Sequence, residues 1–292
     1  MHVERPDLPA APSRRATNGQ SRLNRIAIAL LCSSASAVAA APSAGLPVRD
    51  GERLVYRVSW AIVPGAGEIR ISARQENGPE GLRLAITSST ATRRLARMLL
   101  PFSAEATSLF DLSTGRLLSL NETSVLRGKR SEVQVTFDYT TRQATYVGPK
   151  SAGQPSLLPI PEGDPTDLIM GLLQTRTWNL SPGGKRDALV LFNNEFYELT
   201  IHHTRFEEVR TPLGAFTAAV LEPRMEKTPP KGMFKRGSTV RVWISQDERH
   251  LPVRFEVEFN IGTGTATLEA YEGPASPTAP DTAASHAKDP RP

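Results

Sequence analysis

The sequence is poor in the side chains that most often carry nucleophilic or metal chemistry. Its 292 residues include one cysteine and five histidines. The cysteine, Cys32, lies in a short apolar segment near the N-terminus, so the chain that remains after removal of that segment has no thiol. The remaining chain therefore has no disulfide, no thiolate metal ligand and no cysteine nucleophile, and its fold must rest on a packed core.

The sequence also lacks an apolar run long enough to cross a bilayer as a helix. Residues 22–41 begin with Arg22 and Arg25, continue with a short apolar stretch and end in small residues of the Ala-x-Ala type. This order is typical of a cleaved secretory signal peptide and predicts export to the periplasm, with association with the outer membrane left open. Leu31 precedes Cys32 where a lipoprotein has a small residue, which disfavours a lipid anchor.

The composition divides the chain into one folded region and three flanking pieces. The N-terminal leader is polar, and the C-terminal tail is rich in Pro, Ala, Ser and Thr without a hydrophobic face, so both are predicted to be disordered. About 230 residues between them suffice for one large domain. The predicted boundaries are residues 1–21 for the leader, 22–41 for the signal peptide, 46–273 for a single β-rich domain and 274–292 for the tail.

Excess charge of one sign is absent from the predicted domain. Five of the 35 basic residues and two of the 30 acidic residues precede Pro42, which leaves 30 basic and 28 acidic residues. This near balance argues against a general nucleic-acid binder.

Alternation of apolar and polar residues dominates the rest of the chain. Val253, Phe255, Val257 and Phe259 alternate with charged residues, which places a hydrophobic row on one face of a strand. Similar alternating segments recur from residue 54 onward with short Gly- and Pro-containing turns between them. We expect a mainly β fold, an antiparallel meander of about twelve strands curled into a barrel or half-barrel.

Two segments interrupt the alternation with helical periodicity. The first runs from Asp164, expected as the N-cap, through Pro165 and Asp167 into an apolar row ending at Leu173, and it predicts one central amphipathic helix as a filler or lid. The second, at residues 92–101, has leucines on one side and arginines on the other. We favour a helix that plugs one end of the sheet over one that rests on anionic lipid.

Several segments resemble domain of unknown function 3108, a family of exported, β-rich proteins of the bacterial envelope. They occur in the family's order and cover nearly the whole predicted domain: GERLVYRVSW, FDLSTGRLLSLNET before RSEVQVTFD, DPTDLIMGLLQTRTWNLSPGG, TPLGAFTAAVLEP and VRVWISQDERHLPVRFEVEF. The resemblance implies an envelope location and a β fold. It brings no catalytic residues to this chain.

The residues themselves offer little for catalysis. His202 and His203 are adjacent, so on a regular strand they face opposite sides and do not chelate one ion, and a zinc site would need a partner such as Glu198. The sequence has no Walker loop and no Gly-x-Ser-x-Gly elbow. We therefore expect no enzyme activity, no metal and no cofactor.

The resulting hypothesis is a non-catalytic periplasmic protein that binds an apolar or amphiphilic, lipid-like molecule in a curved sheet. The alternatives are a structural or assembly factor of the envelope that acts through protein or glycan contacts, and an envelope hydrolase. The predicted ligand-lining residues are Tyr56, Val58, Trp60, Phe137, Phe255 and Phe259, and the alternative is that these side chains form a filled core. The candidate surface contacts with anionic lipid or polysaccharide lie in a basic loop, at Lys227, Lys231, Phe234, Lys235 and Arg236, although a hairpin loop that is only solvated is favoured over such contact.

Overall fold

A computed structural model describes residues 46–274, apart from residues 62, 80, 236, 237, 260 and 261. The predicted leader, the signal peptide, the tail from residue 275 and Arg236 lie outside the described residues.

Within this part of the chain, strands account for most of the structure. The fifteen strands are β1 (Arg53–Trp60), β2 (Val63–Gly78), β3 (Gly81–Thr92), β4 (Phe102–Asp111), β5 (Leu117–Leu126), β6 (Lys129–Asp138), β7 (Gln143–Val147), β8 (Ser156–Pro159), β9 (Thr166–Asp167), β10 (Lys185–Phe192), β11 (Glu195–Thr211), β12 (Gly214–Arg224), β13 (Thr239–Ser245), β14 (Pro252–Phe259) and β15 (Gly262–Glu272). Two α-helices, α1 (Arg94–Leu99) and α2 (Leu168–Gln174), and three short 3-10 turns complete it, the turns at Pro149–Ser151, Thr175–Thr177 and Gly232–Phe234.

All the strands form one open sheet in the order β8-β7-β6-β5-β4-β3-β2-β1-β15-β14-β13-β12-β11-β10-β9. Neighbouring strands are antiparallel except β9 and β10, which are parallel. The sheet therefore has two meandering arms, which meet where β1 pairs with β15. The expected mainly β antiparallel fold is confirmed. The sheet has fifteen strands where about twelve were expected, and the additional ones include the short edge strands β8 and β9.

The short connection between the two edge strands shows how strongly the sheet curves. Residues 160–165 alone link β8 to β9, and six residues with their flanking bonds span at most about 25 Å. A flat sheet of this many strands would be about 65 Å wide. The sheet must therefore curl until its edges are neighbours, which gives a half-barrel that is not closed by edge-to-edge hydrogen bonds among the described strands.

Side chains fill the seam between the two edges. Leu120, Val135 and Tyr146 from one arm form a single buried cluster with Leu189 and Leu191 from β10 on the other arm. Apolar burial, worth roughly 25 cal/mol per Å², thus replaces the hydrogen bonds that a closed barrel would have at this position.

Helix α2 lies inside the curve of the sheet. Met170 and Leu173 are fully buried in a core cluster to which strands of both arms contribute. Gly171 allows the helix to approach β10, because a Cβ at this position would stand 3.0 Å from a methyl group of Val190. The predicted central amphipathic helix is present.

The start of α2 differs from the expectation. Asp167 is the N-cap, and its Oδ1 accepts hydrogen bonds from the backbone N–H groups of Ile169 at 2.7 Å and Met170 at 2.9 Å. Asp164 was the wrong choice because Thr166 and Asp167 first pair with β10 as a short strand, which delays the helix by three residues. Asp164 instead forms an exposed ion pair with Arg116 at 3.2 Å.

The second helical segment does not act as a plug. Helix α1 has no buried residue, and its leucines face solvent. The expectation of a plug was wrong, because a plug would bury its leucines, whereas Leu95 and Leu99 of α1 are exposed.

A buried ion pair ties both ends of the domain to the segment after α2. Arg176 contacts Glu52 at 3.0 Å, with 9% and 3% of their side chains exposed. The hydroxyl of Tyr271 donates to Glu52 Oε1 at 2.6 Å, and the backbone N–H of Arg49 donates to Oε2 at 3.0 Å. Burial acts to raise the pKa of Glu52, but Arg176, Tyr271 and Arg49 together hold it below its usual value.

Candidate functional site

Two cavities lie beside helix α2, and Leu168 and Ile169 line both of them. One is lined almost entirely by apolar side chains and has a volume of about 380 Å³. The other mixes apolar and polar side chains and has a volume of about 470 Å³. Both fall within the range of roughly 300–1000 Å³ that is usual for small-molecule sites.

The apolar cavity is bounded by α2 and by strands of both arms. Its wall comprises Val58, Trp60, Ile69, Leu168, Ile169, Gly171, Leu172, Thr175, Val190, Leu199, Ile201, Leu221, Pro223, Met233, Phe234, Val240, Val242, Phe255, Val257, Phe259, Gly264, Thr265 and Ala266. Among the described residues, no charged side chain is part of this wall, and the hydroxyl of Thr175 donates a hydrogen bond to the backbone carbonyl of Leu172 at 2.6 Å. Such a wall suits an apolar group and offers nothing to compensate a buried charge.

Four of the six side chains predicted to line a ligand site are brought together here. Val58 and Trp60 of β1 and Phe255 and Phe259 of β14 share the wall of the apolar cavity, and the rings of Trp60 and Phe259 are 6.1 Å apart. The period of two in β1 and β14 was the signal that identified them, because it puts their alternate residues on the inner face of one sheet.

The other two predicted lining residues are placed elsewhere. Tyr56 is completely buried in the core, where its hydroxyl donates to the carbonyl of Pro252 at 2.9 Å. Phe137 packs at the seam and stacks on Tyr139, with ring centroids 6.2 Å apart. Neither side chain lines either of the two cavities.

The basic loop between β12 and β13 contributes to the apolar cavity. Met233 and Phe234 from this loop line the cavity, although the sequence pattern marked Phe234 as an outward contact. The ring centroids of Phe234 and Tyr197 are 5.9 Å apart. Tyr197 belongs to a buried apolar cluster, against which Phe234 packs. The 3-10 turn at Gly232–Phe234 thus holds two large side chains over the space enclosed by the strands.

The lysines of this loop hold it against the sheet. Lys227 pairs with Asp187 at 2.9 Å, and Lys231 pairs with Glu195 at 2.7 Å. Lys231 also lies 4.7 Å from the centre of the Tyr197 ring. The hydrogen bonds from these lysines lower the pKa of each carboxyl group. Two of the predicted surface contacts are thus engaged within the protein, whereas Lys235 is exposed.

The second cavity contains carboxyl groups in an unusual environment. Its wall includes Glu122 and Asp167 together with serines, threonines and apolar residues of β3 to β6. Burial raises the pKa of Glu122. Burial also raises the pKa of Asp167, although the backbone N–H groups of Met170 and Ile169 and the nearby hydroxyl of Ser108 oppose the rise. Oδ2 of Asp167 is buried and has no well-aligned partner among the described residues.

Substitution of Asp167 separates its role as a cap from the cost of its burial. Asp167→Ala is expected to lower the free energy of unfolding by about 0.5–2 kcal/mol, because two backbone N–H groups lose their acceptor. Asp167→Asn keeps an acceptor oxygen, so its free energy of unfolding is expected to fall by less than that of Asp167→Ala at neutral pH. Urea denaturation of both variants and the wild type measures the two effects.

The pH dependence of the same comparison has a definite sign. With a raised folded-state pKa, the stability contributed by protonated Asp167 is fully present below the unfolded pKa of about 3.9 and is lost as the pH rises through the folded pKa. The wild type should therefore gain stability relative to Asp167→Asn as the solution is acidified. A difference that does not change with pH would contradict this assignment.

The histidines do not form a metal site within the described part of the chain. His202 pairs with Glu226 at 2.8 Å. His203 is buried, with Nδ1 2.7 Å from the carbonyl of Leu180. Neither contacts Glu198, and no group of three or more His, Cys, Asp or Glu side chains in the described residues is arranged to hold an ion. In the same residues, no helix combines the length and apolarity needed to span a bilayer.

Comparison with known proteins identifies one family. The model of the family described as "Protein of unknown function (DUF3108)" matches residues 55–269. No curated protein sequence matches the chain.

Solved structures that are similar to this chain include the following two. A β-barrel-like protein of domain of unknown function DUF1849 from Brucella abortus is 7% identical, with a TM-score of 0.49, and the match covers 77% of this chain and 99% of that one. A DUF1089 family protein from Pseudomonas aeruginosa is 12% identical, with a TM-score of 0.35, and the match covers 65% and 89%. Both TM-scores are below 0.5, so neither similarity establishes the fold of this chain.

Proposed function

The chain belongs to the DUF3108 family of proteins of unknown function, and we propose that it is an exported periplasmic protein that binds an apolar or amphiphilic molecule without transforming it. The ligand occupies the apolar cavity beside α2. The observation that carries the proposal is the uncharged wall of a cavity of about 380 Å³. Proteins usually fill such a space with side chains at close to crystalline packing density, so an apolar cavity of this size favours a ligand.

The surroundings of the cavity favour a ligand with a polar end. Phe234 and Met233 close part of the cavity with apolar surface, whereas Lys231 and Lys235 lie next to them in the same loop. An acyl or comparable apolar chain then lies along Trp60, Phe255 and Phe259, with its polar or anionic head beside Lys235. This arrangement keeps the charge of the head in water and buries only the chain.

The proposed location rests on the N-terminal sequence. Residues 22–41 have the positive start, apolar centre and small-residue end of a secretory signal peptide. The absence of cysteine after residue 32 fits a chain whose stability does not depend on disulfides. A carrier or receptor of an apolar molecule in an aqueous compartment needs an interior of this kind, since the ligand is poorly soluble outside it.

The test is to fill the cavity without changing charge. Val257→Trp introduces a large side chain into the wall next to Gly264, its partner across the β14–β15 pair. We expect the purified variant to bind N-phenyl-1-naphthylamine, a neutral apolar fluorophore, about tenfold or more weakly than the wild type, because the indole takes the volume that the probe occupies. Fluorescence titration measures the affinity, and competition with a fatty acid tests whether an amphiphile shares the site.

The matched control makes the same substitution in the other cavity. Val133→Trp alters the wall of the mixed cavity and is expected to leave the affinity for the probe unchanged. Thermal unfolding followed by circular dichroism verifies that both variants are folded. Equal probe binding by the wild type and Val257→Trp, or loss only in Val133→Trp, would reject the apolar cavity as the site. A wild type that binds neither probe nor fatty acid would favour the alternative of an assembly factor.

A further inference from the structure

Helix α1 exposes its large apolar side chains to solvent. Leu95 is 68% exposed, and Met98 and Leu99 are each 80% exposed, while Leu100 continues the same surface. Single exposed leucines are ordinary on protein surfaces, but a contiguous group on a segment with no buried residue marks an interaction site. The apolar side of α1 is therefore available to a partner.

The neighbouring hairpin extends this surface. Leu126, at the end of β5, pairs with Phe102, the first residue of the strand that follows α1. Leu126 is itself exposed. The backbone N–H of Arg127 donates to the carbonyl of Pro101 at 2.9 Å, which joins the β5–β6 turn to the end of the helical connection. We call residues 93–100 and 126–130 together the apolar-basic tip.

The charge of the apolar-basic tip has one sign. Its two segments contain six basic residues and no acidic residue, the basic ones being Arg93, Arg94, Arg97, Arg127, Lys129 and Arg130. Arg93 pairs with Glu68 and Arg130 with Glu132. The other four make no ion pair with any residue that the structure describes. The leucines and the methionine thus lie beside six cations, four of which have no acidic partner among the described residues.

We propose that the apolar-basic tip docks the protein on a membrane surface that contains anionic phospholipid. Leu95, Met98 and Leu99 insert among the acyl chains, and the arginines beside them contact the phosphate groups. A lipid surface fits better than a protein partner because the apolar side chains of the tip are exposed rather than set in a groove, and a bilayer adapts to exposed apolar side chains. The positive charge complements anionic lipid.

The topology places the apolar-basic tip at the same end of the sheet as the apolar cavity. Antiparallel pairing brings the ends of β1, β3, β5, β12 and β14 to one rim. Trp60, Phe259 and Phe234 of the apolar cavity lie at this rim, and α1 directly follows β3. Docking would therefore present this end of the sheet to the lipid surface. The docking itself does not require that the cavity bind a ligand.

The experiment compares two variants with the wild type in co-sedimentation with vesicles. The vesicles are phosphatidylcholine alone or phosphatidylcholine mixed with phosphatidylglycerol. We expect the wild type to bind the mixed vesicles, and we expect Leu95→Ser/Met98→Ser/Leu99→Ser to bind them about tenfold or more weakly. Arg94→Gln/Arg97→Gln should bind mixed vesicles about tenfold more weakly than the wild type and should bind phosphatidylcholine vesicles almost as the wild type does. The reason is that each basic residue strengthens binding by its attraction to anionic lipid.

The control places the same kind of change on other exposed apolar residues. Leu82→Ser/Leu157→Ser/Leu213→Ser removes three exposed leucines outside the tip and should bind vesicles as the wild type does. Equal loss in the control variant, or no vesicle binding by a folded wild type, would overturn the proposal. Sedimentation velocity identifies the rival occupant: a dimer that the tip variant converts to a monomer, without vesicle binding, would assign the tip to a second copy of the chain.

Discussion

Glu52→Gln is expected to lower the free energy of unfolding by about 3–5 kcal/mol, because it leaves Arg176 buried without its counter-charge. The carboxylate accepts hydrogen bonds from Arg176, Tyr271 and the backbone of Arg49. These partners come from the start of the domain, the last strand and the turn after α2, so the substitution weakens contacts that join three distant parts of the chain. Urea denaturation at neutral pH measures the loss.

A surface pair near the same strands provides the control. Arg53 and Glu272 form an exposed ion pair at 3.5 Å between β1 and β15. Glu272→Gln should cost less than about 1 kcal/mol, since exposed pairs contribute little in water. The double variant Glu52→Gln/Arg176→Met should lose less than the sum of its single losses, because no unpaired buried charge remains. Additive losses would contradict a coupled pair.

The effect of Glu52 also has a predicted pH dependence. Since its pKa is lowered in the folded state, its stabilising contribution is present above the unfolded pKa of about 4.3 and is lost as the pH falls through the folded pKa. The difference between the wild type and Glu52→Gln should accordingly shrink in acid. Persistence of the full difference at a pH well below the folded pKa would show that the lost stability does not come from the charge.

Leu173→Ala is expected to lower the free energy of unfolding by about 2–5 kcal/mol, because Leu173 is completely buried and its removal leaves a void between α2 and the core. The same helix offers a control one residue away. Leu172 is half-buried and lines the apolar cavity, so Leu172→Ala should cost only about 1–2 kcal/mol.

Thermal and urea unfolding distinguish these two positions. A larger loss for Leu173→Ala than for Leu172→Ala agrees with a helix whose buried side holds it inside the sheet and whose other side faces a cavity. Equal losses would mean that the space beside Leu172 is as well packed as the core, and the proposed ligand site would then lose its support.

The strands were the part of the fold most accessible from the sequence. A period of two identifies the inner face of a strand without knowledge of its neighbours, and Val58, Trp60, Phe255 and Phe259 share one cavity wall for that reason. The same period does not say whether an inward side chain meets another side chain or empty space. Tyr56 and Phe137 follow the alternation equally well and pack into filled regions.

The basic loop and α1 show a second limit of the sequence. Their composition is basic and apolar in both cases, yet Lys227 and Lys231 of the loop pair with acidic residues of the sheet, whereas the leucines of α1 are exposed. The partners of the loop lysines, Asp187 and Glu195, are distant in sequence. No local pattern distinguishes a docked segment from a free one.

The amino-acid sequence by itself determined the strand periodicity, the existence of a central amphipathic helix and the membership in a β-rich family, because these depend on local spacing and on the order of segments. Only the tertiary structure decided which inward side chains enclose a cavity, where α2 begins and that Glu52, Arg176 and Tyr271 meet. The physical reason is that burial, pairing and empty volume depend on residues brought together by the curl of the whole sheet.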